Sequence, residues 1–395
     1  MNILYIHQYF VTPSEAGGTR SYWISQELKK KGHNVTMLTT NRASLNKKRE
    51  TIDGINVIYL NIPYDNKMGV FKRIIAFLRF MLLSSWYVIK SKGFDLVIAT
   101  STPLTVGFPA LVAKKLRGIP YIFEVRDLWP EVPIQMGGIK NKFAIKLLRL
   151  FEKKIYQNAK HIVALSPGMF DGVIKTGIPE NKVSMIPNMS KIDKFWPRKK
   201  NESVIKELGL KKDSFKVIYF GAMGLANGMD YILDGIKLLG TEHNVEFMFF
   251  GWGYMESLLK KRCEEENIQN TKFYGKMPMD RLSEIVNISD VSLVTFTNLP
   301  ILTTNSPNKL FDSLSAGKPI IVNSPGWTKQ MVEEHRCGIY VDPTKPLELA
   351  EGIMFLKENE KISDEFGENS RKLAENMYDK SILCEKFSAM VEKLK

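Results

Sequence analysis

The chain has 395 residues, 44% of them hydrophobic and 25% charged, with 27 Gly, 18 Pro and 3 Cys. That length and usage predict two globular domains and exclude disorder, a collagen-like repeat or a coiled coil as the main architecture. The net charge of +14 is uneven: residues 1–195 hold 29 Lys+Arg against 13 Asp+Glu, and residues 196–395 hold 27 against 29. A basic first half predicts an anionic partner there, whether nucleic acid, a lipid surface or a phosphorylated ligand, beside the plainer reading of solubility alone.

The first predicted strand, 2–7, leads to Glu15-Ala16-Gly17-Gly18-Thr19-Arg20 and a helical pattern over 19–31. Glycine lets backbone approach a ligand, and a helix N-terminus offers free N–H groups to a phosphate. The opening MNILYIHQYF lacks the charged region and cleavage site of a signal peptide, so a cytoplasmic location is expected. His7 ends the strand and reads equally as a ligand-facing or a satisfied buried histidine. Strands are predicted over 34–39 and 55–60.

The segment 74–89 is apolar but short and carries Arg79, so a spanning helix is not expected. Wound as a helix, it aligns Lys72, Ala76, Arg79, Leu83, Trp86 and Lys90 on one stripe. Such a helix either lies in a membrane interface or packs in a core with its cationic stems snorkelling. A strand over 95–99 and a helix over 103–116 lead to the strand 120–125 and then Arg126-Asp127-Leu128-Trp129-Pro130. Glu124, Arg126 and Asp127 thus sit at a strand's C-terminal end, where open α/β sheets place ligands, and Asp127 reads equally as a helix N-cap. Over 141–156, Lys142, Lys146, Arg149 and Lys153 form a basic stripe opposite Phe143, Leu147, Leu148 and Phe151. This predicts a core helix with a basic outer face, and the two helices together favour a peripheral membrane contact. Strands over 161–165 and 183–186 end the first half.

The stretch from Ile186-Pro187-Asn188 to Lys200 reads as an interdomain linker. A fresh strand, Lys216–Phe220, runs into Gly221-Ala222-Met223-Gly224-Leu225-Ala226-Asn227-Gly228 and a helix over 227–239. Neither glycine turn is a GxGxxG with an acid about 20 residues on, nor a GxxxxGK[ST] loop. Two such turns, each after the first strand of its half, predict a cleft between domains. Strands over 245–250, 271–274, 290–294, 319–322 and 338–341 alternate with helices over 254–265 and 308–316. In Ser306-Pro307-Asn308-Lys309-Leu310-Phe311-Asp312, Pro307 suits a helix start. Lys309 in the first turn is unfavourable beside the helix dipole unless an anion binds there. A lysine for phosphate and a carboxylate for vicinal hydroxyls suit a nucleoside diphosphate; a surface Lys–Asp pair is the other reading. The fold expected is α/β: two Rossmann-like, doubly wound parallel-sheet domains facing across a cleft, at 1–190 and 191–377, with 378–395 as a terminal helix packing back on the first domain.

Lys309 to Pro319, the Gly17-Gly18 loop, the Asn188 linker, the Gly221 turn and Phe273-Tyr274-Gly275-Lys276-Met277 resemble, in order and over essentially the whole chain, glycosyltransferase family 4, retaining enzymes of GT-B fold. The opening HQYF, the GGTR segment and Glu124–Pro130 resemble its bacterial O-antigen and capsule branch, some members of which transfer N-acetyl-L-fucosamine. The resemblance implies that Asp312 binds ribose hydroxyls and that Lys309, with Arg20, meets the diphosphate. It implies that the backbone at Gly17, Gly18, Asn308, Lys309 and Leu310 holds phosphate and sugar. Gly221 and Asn227 would lie at the donor, with Tyr274 to Met277 bordering the uracil. The chain departs from the family at Thr304, where the first glutamate of a pair is expected, and at Gly221–Asn227, which lacks the usual Arg and Lys. The family's N-domain histidine is replaced within Arg126-Asp127.

The activity implied is transfer of a sugar, an N-acetylated deoxyhexosamine, from a UDP-sugar to a polyprenyl-diphosphate-linked saccharide on an anionic membrane surface. Glu124, Arg126 and Asp127 are the catalytic candidates; Lys72, Arg79, Trp86 and Lys90 are the membrane candidates. No cofactor or metal is expected, since no DxD-type pair is evident and Cys263, Cys337 and Cys384 stand apart with no CxxC. A non-catalytic two-domain sugar-binding module and a GT-B UDP-sugar epimerase are the alternatives. Nucleic-acid binding finds no motif beyond the basic charge.

Overall fold

The computed structural model describes residues 1–15, 17–41, 48–63 and 68–394, so Ala16 of the first glycine turn and Lys395 of the tail lie outside the described residues. The first half holds strands β1 (Asn2–Ile6), β2 (Asn34–Thr40), β3 (Arg49–Ile52), β4 (Ile55–Leu60), β5 (Leu96–Thr100), β6 (Tyr121–Val125), β7 (His161–Ala164) and β8 (Val183–Met185). They form one sheet in the order β3-β4-β2-β1-β5-β6-β7-β8. Every pairing is parallel except β3 against β4. The second half holds β9 (Phe215–Ala222), β10 (Val245–Trp252), β11 (Thr271–Gly275), β12 (Val291–Val294), β13 (Ile320–Val322) and β14 (Gly338–Tyr340). Their order is β11-β10-β9-β12-β13-β14, parallel throughout.

Parallel strands need helical crossovers, which cover both sheet faces and bury the strands on both sides. This is why β5 and β6 are buried at every residue and read as largely apolar runs, Glu124 being the one charged residue in them. The alternation therefore predicts the architecture that forms, two parallel-sheet α/β halves. Strand β3 is the one described strand that the sequence reading omits. It makes a hairpin with β4 through Asp53 (φ 47°) and Gly54 (φ 77°), a two-residue Asp-Gly turn with both residues in the left-handed region.

Two interdomain crossings meet. Residues 186–200 lead from β8 into the second half, and the chain returns through 375–379. Ser190 and Asp379 form a bridge there, with Ser190 N donating to Tyr378 O and Lys380 N to Ser190 O. The last helix, Lys380–Glu392, lies on the first half: Glu385 pairs with Lys31 at 3.7 Å, Glu392 pairs with His33, and Leu383, Phe387 and Val391 are buried. The first core continues into Leu310, Phe311 and Leu314 of the helix Asn308–Ser315, so an apolar seam joins the halves beneath the cleft.

Two amphipathic helices sit differently from the sequence expectation. On the helix Val70–Lys90, Ala76, Phe80, Ser84 and Val88 form the buried seam, so Ala76 leaves the basic stripe. Much of its remaining apolar surface, including Phe71 (76% exposed), Leu82 (60%) and Trp86 (59%), faces solvent, more than the core-helix reading expects. Lys72, Arg79 and Lys90 are exposed beside it, and Lys90 Nζ lies 4.8 Å from the Trp86 ring centre. On the helix Lys142–Asn158, the buried side is Glu152, Ile155 and Tyr156. Phe143 (70%) and Leu147 (50%), expected in the core, are exposed together with Leu150. The helix Gly107–Arg117 packs against both, so these exposed surfaces belong to one layer on the first sheet.

Candidate active site

Two adjoining cavities lie where the C-terminal ends of the strands of the two halves meet. The larger, about 430 Å³, is lined from the first half by Glu15, Gly17 and Gly18 and from the linker by Lys191 and Phe195. The second half contributes Gly221, Asn227, Phe250, Trp252, Lys276, Met277, Asn308, Lys309 and Asp312. The smaller, about 240 Å³, is lined by His7, Tyr9, Gly18, Thr102, Arg126, Asp127, Asn188, Ser306, Pro307 and Asn308. Gly18 and Asn308 line both, so the two spaces meet at the start of the helix Asn308–Ser315. A wider groove, about 1020 Å³, lies at the opposite strand ends around Phe215, Asp290 and Pro319. Its cations are engaged, for example Lys200 with Asp290, Lys372 with Glu368 and Lys318 with two carbonyls, so nothing there calls for an anion.

The meeting point is built by close backbone approach. A side chain at Gly18 would stand 2.9 Å from Asn308 Nδ2 and 3.3 Å from Arg126 Nη2. Gly221, at φ +126°, is the next-to-last residue of β9, with the space of its missing side chain 3.9 Å from Lys309 Cε. The amides of Asn308 and Lys309 open their helix without intrahelical partners. The Leu310 amide does not join them: it donates to Pro307 O at 3.2 Å, and the Leu310 side chain is buried in the core.

Lys309 and Asp312 are not a surface pair. Both are buried, and Asp312 Oδ1 meets Lys191 Nζ at 2.6 Å. Among the described residues Lys309 Nζ has no hydrogen-bond partner, and it lies 3.7 Å from the Tyr219 ring centre. Burial pushes its ammonium down to about 7. A buried cation lacking a counter-ion, beside two free helix amides, is an arrangement that an anion completes. Burial also raises the Asp312 carboxyl, and Lys191 opposes that rise.

In the smaller cavity, Arg126 Nη1 donates to His7 Nε2 at 3.1 Å. A guanidinium only donates, so His7 accepts at Nε2 and carries its proton on Nδ1, which donates to Ser21 Oγ at 2.7 Å. Asp127 accepts from Thr102 Oγ1 at 3.4 Å, and burial pushes its carboxyl up to about 6. It is not a helix cap, because the next helix, Glu131–Gln135, is capped at Pro130.

Three site expectations are corrected. Glu124 is completely buried and bonded to Arg20 Nε (2.7 Å), Thr100 Oγ1 (2.6 Å) and Tyr5 OH (3.4 Å). Burial alone would raise its carboxyl, but the Arg20 and Arg126 guanidiniums hold it below the usual range. Arg20 is 1% exposed, and its other nitrogens donate to Ile186 O and Pro187 O, so it ties the first helix to the linker and cannot reach a phosphate. Tyr274 stacks on the far side of Phe250 at 4.6 Å and donates to Leu208 O, outside the cavity that Met277 lines. Thr304, where the family's first glutamate is expected, closes the turn Pro300–Thr304 and offers its carbonyl to Ser166.

The sequence reading also passes over several lining residues. Trp252, at the end of β10, carries Lys276 Nζ 3.2 Å from its ring centre. Its strand-end position was a usable signal. Lys191 had no such signal, because the path of a linker depends on both domains at once.

Comparison with known proteins identifies both halves of the chain. Residues 16–189 match the glycosyl transferase 4-like domain and residues 200–373 match the glycosyl transferases group 1 domain. The chain is 25% identical over 339 residues to the probable glycosyltransferase WbjE of Pseudomonas aeruginosa, covering 84% of this chain and 83% of that one. Sucrose-phosphate synthase of Thermosynechococcus elongatus superposes with a TM-score of 0.81 at 17% identity, over 100% of this chain and 98% of that one. HepE of Anabaena in complex with UDP-glucose superposes with a TM-score of 0.74 at 15% identity, over all of both chains. The fold and the paired domains together define a glycosyltransferase of GT-B architecture. The chain belongs to the glycosyltransferases that join a glycosyl transferase 4-like domain to a group 1 domain.

Proposed function

We propose that the protein transfers a sugar from a UDP-sugar, with retention at the anomeric carbon, to a lipid-linked saccharide held at an anionic membrane surface. One observation carries the donor half of this reading. Lys309 is a buried ammonium at the start of a helix with no hydrogen-bond partner among the described residues, with Asp312 one turn on and Gly18 of the opposite domain against the neighbouring Asn308. The leaving diphosphate seats at Lys309 and the amides of Asn308 and Lys309, with the ribose at Asp312. The uracil lies toward Trp252 and Met277, and the transferred sugar extends past Gly18 into the smaller cavity. The solved HepE complex with UDP-glucose supports this donor class by analogy of fold.

A diphosphate leaving group needs stabilised charge in the transition state, and preorganised donors supply it without reorganisation. Lys309 and the two amides are such donors. The donor's own phosphate oxygen takes the proton of the acceptor hydroxyl, so the protein's share is positioning and charge. Arg126 and Asp127 face the sugar from the first half, Asp127 holding a hydroxyl in its ionised form above about pH 6. An N-acetylated deoxyhexosamine as the sugar, and surface polysaccharide such as O-antigen or capsule as the product, follow from the resemblance of HQYF, GGTR and Glu124–Pro130. The acceptor half rests on the exposed apolar and basic layer of the first domain, which supports a peripheral seat on the inner face of the cell membrane.

The test is thermal stability with UDP, GDP, ADP and CMP, with and without Mg²⁺. A ligand at 100 times its dissociation constant adds about 2.7 kcal/mol, a readily measured rise in Tm. UDP is expected to stabilise the wild type and not Lys309→Ala. Stabilisation by another nucleotide alone would change the donor class, and none from any nucleotide would refute the donor site.

A further inference from the structure

The cation that meets Asp312 comes from outside its own helix. Lys191 belongs to the interdomain linker, and both side chains are largely buried, at 5% and 10% exposure. The Lys191 side chain is not needed to hold the linker in place. Lys191 N donates to Ser315 Oγ at 3.1 Å, Ser190 Oγ to Phe311 O at 2.9 Å and Asn188 Nδ2 to Ser306 O, so linker and helix are already tied through other groups. Nor is the pair explained by stability. Desolvating two ions offsets most of their attraction, and packed apolar residues commonly do as well. What distinguishes the pair is that both members border the larger cavity. Among the described residues, Lys191 is the only cation paired with the Asp312 carboxylate, and Asp312 Oδ1 has no hydrogen-bond partner. A carboxylate has about four lone-pair sites, so room remains for two hydroxyls.

We propose that Lys191 is a positioning residue for ribose recognition: its ammonium fixes Asp312 as a charged acceptor whose remaining lone pairs take the ribose hydroxyls of the donor nucleotide. The inference rests on the donor reading above and makes the linker part of the donor site.

The experiment is calorimetric titration of UDP and 2′-deoxy-UDP into wild type, Lys191→Met and Lys191→Arg, with Tm recorded for each. Wild type is expected to prefer UDP by roughly tenfold to a hundredfold, the span of one charge-assisted hydrogen bond. Lys191→Met is expected to weaken UDP and bring the ratio close to one, and Lys191→Arg to restore most of it. If Lys191→Met does not fold, Lys191→Gln gives the same comparison. A variant that weakens both nucleotides equally and keeps the ratio would overturn the proposal, because Lys191 would then act on phosphate or on structure alone. A wild type that binds both nucleotides equally would overturn it too, because Asp312 would not read the ribose. A wild type that binds no UDP would fail at the donor reading itself, and the proposal would fall with it.

Discussion

At the scale of single residues, the charge state of Lys309 links the cavity to pH. Burial holds its ammonium down to about 7. A diphosphate beside it favours the charged form, so the bound pKa is higher than the free one. Binding above pH 7 therefore takes up a proton, and affinity falls as pH rises, by up to about tenfold per unit until the bound pKa is reached. The phosphate itself, with a second pKa of about 6, is already ionised there and does not contribute. The other charged groups lining the cavity are Lys191 paired with Asp312, Lys276 and Glu15. UDP titrations from pH 6.5 to 9 should show this slope in wild type and a flat profile in Lys309→Met; equal slopes would assign the proton elsewhere. Lys309, Asp312 and Gly18 were legible in the sequence because each obeys a local rule, a helix start or a close-approach glycine. Arg20 and Glu124 were misread because they satisfy each other across 104 positions and no local pattern marks that pairing. Lys191 was missed for a related reason, since its partner is set by how two domains dock.

At the scale of elements, strands were the most legible, because burial on both faces makes them largely apolar runs. Strand β3 escaped because Arg49-Glu50-Thr51-Ile52 is polar and sits at the sheet edge, although Asp53-Gly54 marked its hairpin. The helix Lys142–Asn158 shows a different limit. Its amphipathic pattern was legible, but the face that meets the sheet uses Glu152 and Tyr156, whose polar atoms read as outward. The consequence is a larger exposed apolar and basic layer than the sequence suggests: Phe71, Leu82 and Trp86 on one helix, Phe143, Leu147 and Leu150 on another. Each Lys or Arg near an anionic surface contributes about 1 kcal/mol. Changing Lys72, Arg79 and Lys90 together to Gln should then weaken binding to anionic vesicles roughly a hundredfold. The measurement is co-sedimentation with phosphatidylserine vesicles at fixed salt, with neutral vesicles as the control. Unchanged binding, with Tm also unchanged, would remove this helix from the contact.

At the scale of the whole molecule, the two halves are joined by two crossings that meet at Ser190 and Asp379, beside the helix that opens the donor cavity. The second crossing is continuous with the last helix, which is bound to the first half rather than the second. That helix is thus a strap: it fixes the return crossing, and through Ser190 it fixes the position of Lys191 against Asp312. Its hold is hydrophobic, with Leu383, Cys384, Phe387 and Val391 at 4% exposure or less. Burying a leucine, phenylalanine or valine side chain is worth about 1.5–3 kcal/mol, so Leu383, Phe387 and Val391 contribute on the order of 4.5–9 kcal/mol. Folded proteins hold only about 5–15 kcal/mol in total, so the strap accounts for a large share of the margin. A chain ending at Asp379 should therefore be insoluble or unfold well below the full-length Tm, and UDP should no longer stabilise it. The informative opposite is a soluble truncated chain that keeps the full UDP response. That result would show that the donor cavity is set by the second half and the linker alone, with the strap serving only the first domain.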